Sequence, residues 1–415
     1  MGLNKLLLCA AILSLALVIG FGCAKAPAPH PMIDVLPGEL FSFSSGENGT
    51  RVFALSMKDF AQRARDARYI LVGEGHGSAC DHNVQADIIR ALAEADANPV
   101  IGLEMAAVDK QDVLDEFNSG ELPLSGLKEA LKWSENWGHF YELYEPIFKL
   151  ARDLELPLAA LNVPKDVVEA VRQGGLKAVT PKDKNFLPSE LVPPVPAQHD
   201  ALMEELERHQ KMREGHAERD RNATAEDRTP FNVENFLLIQ SLWDSKMAES
   251  AVKTYGKYKR PVVILAGSGH VEHGWGIAAR LNAFDPEGRV LSVAPWRGEK
   301  GLDLTASDVF FYCPVSHRSR LGFSMEFLDQ EAVVIEVEEG SKASTAGVRE
   351  NDVILTAQGL PVTDLWVLHK AAIQAKRENS PLEITVLRRG KGVILLIEMS
   401  TAGEDAKEDA DAGTP

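Results

Sequence analysis

Five short apolar runs that do not alternate with polar residues constrain this chain most. They are Tyr69-Ile70-Leu71-Val72, Val100-Ile101-Gly102-Leu103, Leu158-Ala159-Ala160-Leu161, Val262-Val263-Ile264-Leu265 and Val290-Leu291-Ser292-Val293. A strand with one wet face alternates, whereas a continuous run needs cover on both faces. Helix-like stretches separate the runs, so the spacing predicts an α/β fold, a mostly parallel sheet flanked by helices. Residues 109–155, with Trp133, Trp137, Tyr141 and Tyr144, and the charged, proline-punctuated region 181–230 are too long for simple connections. They predict a helical lobe or lid over the sheet. Thr229-Pro230 is expected to open a helix with Phe236, Gln240, Trp243 and Met247 on one face.

The ends of the runs carry the chemistry. The first delivers Glu74 and His76, the second Glu104, the third Asn162, the fourth His270 with His273 just beyond, and the fifth Pro295-Trp296-Arg297. Ligands of open parallel sheets bind outside the carboxyl ends of the strands. Ionisable groups are costly to bury unpaired, so these should converge on partners or a ligand. Two imidazoles and one or two carboxylates can ligate a divalent cation, or act as acid and base without one. The glycines in Gly73-Glu74-Gly75-His76 and Gly267-Ser268-Gly269-His270 permit sharp, close-packed turns.

Both ends of the chain read as something other than fold. Lys5 followed by the uncharged stretch Leu6 to Ile19, ending at Gly22-Cys23, is expected to be a signal segment over 1–22. It resembles a bacterial lipoprotein signal, which implies lipidation at Cys23 and a lipid-anchored protein of the cell envelope, at the outer membrane. Residues 23–45 are expected to be a proline-rich tether, and 401–415 an acidic, disordered tail. The net charge of −17 argues against nucleic acid as a partner. Cys80 and Cys313 are the cysteines left beyond the signal, and the sequence leaves their pairing open.

The signature Gly73-Glu74-Gly75-His76, His82, Gln85, Leu103-Glu104-Met105, Trp133, Trp137, Tyr141 to Pro146, Leu161-Asn162-Val163-Pro164, Trp243-Asp244, Met247-Ala248 and Gly267 to His270 resembles the ChaN family of haem-binding lipoproteins. That family is similar to the Tiki, TraB and erythromycin-esterase proteins. The resemblance covers about residues 50–300, and a ChaN-like domain is expected over 46–300. It implies haem or another iron porphyrin as ligand, a role in iron uptake, and Glu74, His76, Glu104 and His270 as signature positions. Tyr141, Tyr144 and His273 are the haem-binding candidates. The Tiki branch implies an alternative: a metal-dependent hydrolase with His76, Glu104 and His270 on a divalent metal and Glu74 as base. Gly77 stands where such proteins commonly carry Asp. A homodimer is compatible with either reading.

After about residue 315 strands alternate and turns crowd together, predicting a small β-rich domain over 316–400. Arg320-Leu321-Gly322-Phe323, Ala346-Gly347-Val348 and Asn351-Asp352-Val353-Ile354 resemble a PDZ domain. The resemblance implies docking of a peptide or protein C-terminus, with Leu321, Gly322 and Phe323 supplying the carboxylate-binding loop. Arg320 replaces the usual first glycine of that loop.

Overall fold

The computed structural model describes residues 35–46, 49–219, 232–298, 301–328, 331–362 and 365–399. The signal segment, Cys23, the first part of the tether and the acidic tail lie outside them.

The first sheet has strands β1 (Leu40–Gly46), β2 (Gly49–Leu55), β3 (Tyr69–Glu74), β4 (Val100–Ala107), β5 (Leu158–Asn162), β6 (Val262–Gly267), β7 (Val290–Trp296) and β8 (Val309–Tyr312), in the order β2-β1-β8-β7-β3-β6-β4-β5. From β8 to β5 neighbouring strands are parallel. All five expected strands are present. Two edges of the sequence reading change. Residues 40–46, read as the end of a tether, form β1, and β8 extends the sheet beyond residue 300. Both strands follow from pairing: β1 binds β8 on one side and β2 on the other, antiparallel to each.

Both faces are covered, as the unbroken runs require. Ile70 and Val72 face a cluster with Ile88, Ile89 and Phe148 from the helices Ala79–Glu94 and Glu145–Asp153. Leu71 faces the opposite cluster, with Met247, Ala251 and Leu281 from the helices Val233–Tyr258 and Ile277–Phe284. Each fully buried aliphatic side chain contributes roughly 1.5–3 kcal/mol, so a charge at Leu71 should break this layer. Asn232 accepts from the Asn235 N–H at 2.9 Å and caps the long helix. That helix therefore starts at Val233, while Thr229 and Pro230 lie outside the described residues. The expected lobe is a set of short helices over 111–153, interrupted at Gly120 (φ 87°) and Lys132 (φ 49°).

The second sheet is antiparallel: β9 (Val315–Ser319), β10 (Phe323–Leu328), β11 (Glu331–Val337), β12 (Val353–Ala357), β13 (Leu360–Pro361), β14 (Leu382–Arg388) and β15 (Lys391–Ile397). Its order is β15-β14-β12-β11-β10-β9, with β13 on β12. Its own core includes Phe323, Met325, Val334, Ile354, Ala371, Ile384 and Ile397.

Candidate functional site

Strand order builds the site. β6 lies between β3 and β4, so groups ending these three strands must meet. Register sets Glu74 beside Gly267, and Leu103 beside Leu265, which brings Glu104 level with Ala266. Glu74 and Glu104 thus approach Gly267 from its two flanks. The Gly267 N–H donates to Glu104 Oε2 at 2.6 Å. A Cβ on Gly267 would lie 2.8 Å from His76 Cε1 and 3.0 Å from Nε2, so only glycine lets the imidazole lie against this turn.

Glu74 is buried and is the hub of one network. Its Oε1 accepts from Tyr144 Oη at 2.6 Å and pairs with His76 Nδ1 at 2.9 Å. Its Oε2 accepts from Gln85 Nε2 at 2.8 Å and lies 3.4 Å from His82 Nδ1. Burial opposes ionisation of Glu74, but His82 and His76 outweigh it and hold the carboxyl well below the usual range. Burial likewise opposes charge on His76, and its bond to Glu74 with the field of Glu104 raises its pKa.

His270 is the centre of a second network. Its Nδ1 lies 2.7 Å from Asp244 Oδ1, and its Nε2 lies 3.5 Å from Glu104 Oε1. Burial pulls its pKa down, yet Glu104 and Asp244 push it up to about 9. Asp244 is itself buried; its Oδ2 accepts from Gln198 Nε2 at 2.8 Å and lies 3.5 Å from Arg280 Nη1. Arg280 also reaches Gln198 Oε1 at 2.6 Å, the Gly276 and Val192 carbonyls at 3.2 and 3.3 Å, and the Trp275 carbonyl. Val192 and Gln198 belong to the 181–230 insertion, so this chain of contacts ties the insertion to His270.

The two histidines share a design. Each is fixed through Nδ1 by a buried carboxylate, which orients Nε2 toward the Gly267 turn and Glu104. That arrangement can move a proton or present a basic nitrogen to an acceptor atom. The loop beneath is staked by Asp81, which accepts from the Gly75 N–H at 2.7 Å and pairs with both Arg297 Nη atoms at 2.8 and 2.5 Å. Arg297, the fifth strand's contribution, is therefore a brace. Among the described residues, the group of three ligating side chains within 4.8 Å of one another is Cys80, Asp81 and Cys313. Its two sulfurs are joined in a disulfide, so it offers no metal site.

The aromatic candidates divide. Tyr144 is fully buried, with Oη committed to Glu74 and within 3.2 Å of Trp137 Nε1. Tyr141 packs between Trp133 and Phe148, and its buried hydroxyl has no hydrogen-bond partner. Burial pushes the pKa of both phenols up. His273 stacks on Trp275 at 4.2 Å and lies 3.4 Å from Thr305 Oγ1. At the surface, His76, Trp137 and His139 form a ring cluster with centroids 4.8 to 5.3 Å apart. His139 is exposed, and burial of part of its ring with the neighbouring His76 lowers its pKa. Sequence reasoning missed His139, although it lies between the quoted Trp137 and Tyr141. It also missed Gln198 and Arg280. The signal for Asp244 was a run of polar residues, Asp244, Ser245, Lys246 and Glu249, on a helix that is otherwise buried.

In the second domain Arg320, Leu321 and Gly322 form a three-residue turn between β9 and β10, with Ser319 paired to Phe323. Gly322 has φ 86°, and a Cβ there would meet Ser341 Cβ at 2.1 Å, so glycine is required. The Leu321 N–H donates to Ser319 Oγ at 3.1 Å and the Gly322 N–H to the Ser319 carbonyl at 3.0 Å. Phe323 is buried in the core.

A family model described as haem-binding uptake, Tiki superfamily, ChaN matches residues 60–281, and a PDZ-domain model matches 319–399. The probable periplasmic serine endoprotease DegP-like of Rhizobium meliloti (strain 1021) is 37% identical over 81 residues, 20% of this chain and 16% of that protein. The chain thus spans only 16% of the length of this curated relative. Among solved structures, ChaN of Campylobacter jejuni with cofacial heme is 21% identical, with 65% of this chain and 96% of that one covered and a TM-score of 0.49. The HtrA3 PDZ domain bound to a phage-derived ligand is 24% identical, covering 20% of this chain and 88% of that one at a TM-score of 0.16. The erythromycin esterase EreC in its open conformation is 15% identical, covering 73% and 86% at a TM-score of 0.35.

Proposed function

The chain belongs to the haem-binding uptake family ChaN of the Tiki superfamily, and from that membership we propose that it captures haem at the bacterial cell envelope for iron uptake. Its second domain, a PDZ domain, docks a peptide or protein terminus. Haem, when bound, would supply an iron able to take a nitrogen ligand within an apolar macrocycle.

The observation that carries the reading is the ring cluster of the part-buried His76 and Trp137 with the exposed His139. It fits haem by its donor set: the His139 imidazole, whose lowered pKa favours the neutral, ligating form, beside an indole. Trp137 would lie against the macrocycle and His139 would bind the iron, while His76, held by Glu74 through Nδ1 with Nε2 against the Gly267 turn, would back that face. The tyrosines fit less well, because Tyr144 is spent on Glu74 and the Tyr141 hydroxyl is enclosed. Their place in this account is to position Glu74 and to fill the lobe core. Haemin titrated into the purified protein should give a saturable shift of its Soret band, and a spectrum equal to free haemin at every ratio would overturn the reading.

A divalent-metal hydrolase is the second reading. It would use the His76, Glu104 and His270 of the signature, although among the described residues these three side chains do not gather within ligating distance of one another. His76, Glu104 and His270 would hold the cation and Glu74 would accept a proton. Elemental analysis of the protein separates this reading from the first.

The envelope placement is supported by the Cys80–Cys313 disulfide, a bond of oxidising compartments. Among the described residues no helix is long and apolar enough to cross a membrane, and Cys23 is the proposed lipid anchor. Cys23→Ser should move the protein from the membrane fraction to the soluble one. A variant that still sediments with membranes would contradict the anchor. A homodimer is compatible with the proposal.

A further inference from the structure

The strand β10 has β11 along one edge and β9 along the other. PDZ domains take a peptide by adding it as a strand to an open sheet edge and capturing its terminal carboxylate on backbone N–H groups. The matched PDZ region begins at residue 319, so all of β9 except Ser319 precedes the match. β9 runs antiparallel to β10 over the whole pairing from Val315↔Phe327 to Ser319↔Phe323. It ends at the turn, where a peptide carboxylate would sit. There the N–H groups of Leu321 and Gly322 already donate to the hydroxyl and carbonyl of Ser319.

We infer that residues 315–319 are an internal pseudo-ligand that closes the peptide edge of the PDZ domain, so that a terminal peptide binds only when this strand is displaced. The inference rests on the peptide-docking reading of the second domain. β9 is fixed at both ends, by Cys313 two residues before it and by the Arg320–Gly322 turn after it. It therefore opens as a loop and returns, and it competes with a peptide at a high local concentration. Apparent affinity falls by the fraction of molecules in which the edge is open.

The test uses the full chain and a library of pentapeptides with free C-terminal carboxylates, read by fluorescence polarisation. His317→Pro removes a ladder donor from β9 and leaves the matched domain intact. It should tighten binding by about tenfold or more. A second variant guards against misfolding: Arg318→Cys with Ser324→Cys, an opposed pair, locks β9 onto β10 when oxidised and should abolish binding. Wild-type protein that binds as tightly as His317→Pro, or a locked variant that binds like wild type, overturns the closed edge and leaves docking standing. If no protein binds any peptide, amide exchange decides. Slow exchange along the β9-facing edge of β10 in wild type, made fast by His317→Pro, keeps the closed edge and rejects docking; fast exchange in wild type rejects the closed edge.

Discussion

Arg280→Ala should cost the first domain about 3–5 kcal/mol, the range for removing one partner of a buried ion pair. Arg280 is fully buried and serves Asp244, the Gln198 side chain and the carbonyls of Val192, Trp275 and Gly276. Alanine leaves Asp244 with His270 as its remaining charged partner and takes the donor from Gln198 Oε1 and three carbonyls in buried or part-buried surroundings. Gln198 and Val192 should then detach, loosening the insertion. A second effect distinguishes this from simple core damage. Arg280 opposes the positive charge on His270, so its removal should raise the His270 pKa further above about 9. Urea unfolding and histidine titration by NMR read the two effects. A midpoint within 1 kcal/mol of wild type, on the scale of an exposed pair, would show that the cluster does not hold the insertion down.

The next largest effect is expected at the disulfide. Cys80 opens the Ala79–Glu94 helix and Cys313 follows β8, and 233 residues separate them. Closing so long a loop removes much entropy from the unfolded chain, about 5 kcal/mol as the entropic ceiling, and measured losses are commonly about 2–4 kcal/mol. The bond is not isolated. Asp81, next to Cys80, pairs with Arg297, and Arg297 Nη1 reaches the Cys313 carbonyl at 3.3 Å. These contacts stake the Gly75–Ser78 loop that carries His76, so Cys80→Ala with Cys313→Ala should both lower the thermal midpoint and widen the His76 resonances. Wild type in reductant should match the double variant. Equal midpoints for oxidised and reduced protein would mean that the other contacts alone hold this corner.

Much of this was legible in the sequence, for a physical reason. A strand buried on both faces leaves an unbroken apolar run, and β3 to β7 all show one. Glu74, His76, Glu104 and His270 could be read because each follows such a run, and a parallel sheet collects strand ends on one side. The edge elements could not. β1 carries three serines among its apolar residues and β2 carries Arg51, since an antiparallel hairpin at the rim needs only one dry face. β8 is a four-residue strand in a polar context. Asp244 stood in the quoted signature, but its role did not, and Arg280 comes from a helix far along the chain where nothing local distinguishes a buried polar residue from a solvated one. Tyr144 looked like a ligand because its stretch is aromatic, but its hydroxyl is used inside, and the exposed His139 beside it went unnoticed. The carboxylate-loop residues were legible as a turn. That the residues just before them pair with β10 was not, because strand pairing is decided by partners and not by composition.

The central claim, that haem docks on the exposed imidazole and indole face, is tested most directly by the electronic and EPR spectra of the haemin complex. For wild type the account predicts a saturable complex with an imidazole-ligated ferric signal. Haemin affinity should fall by about tenfold or more on His139→Ala, at least the loss seen on removing a group that merely orients a ligand, and the signal should stay unchanged on Tyr141→Phe. A high-spin signal with a phenolate charge-transfer band that survives His139→Ala and vanishes in Tyr141→Phe would contradict it.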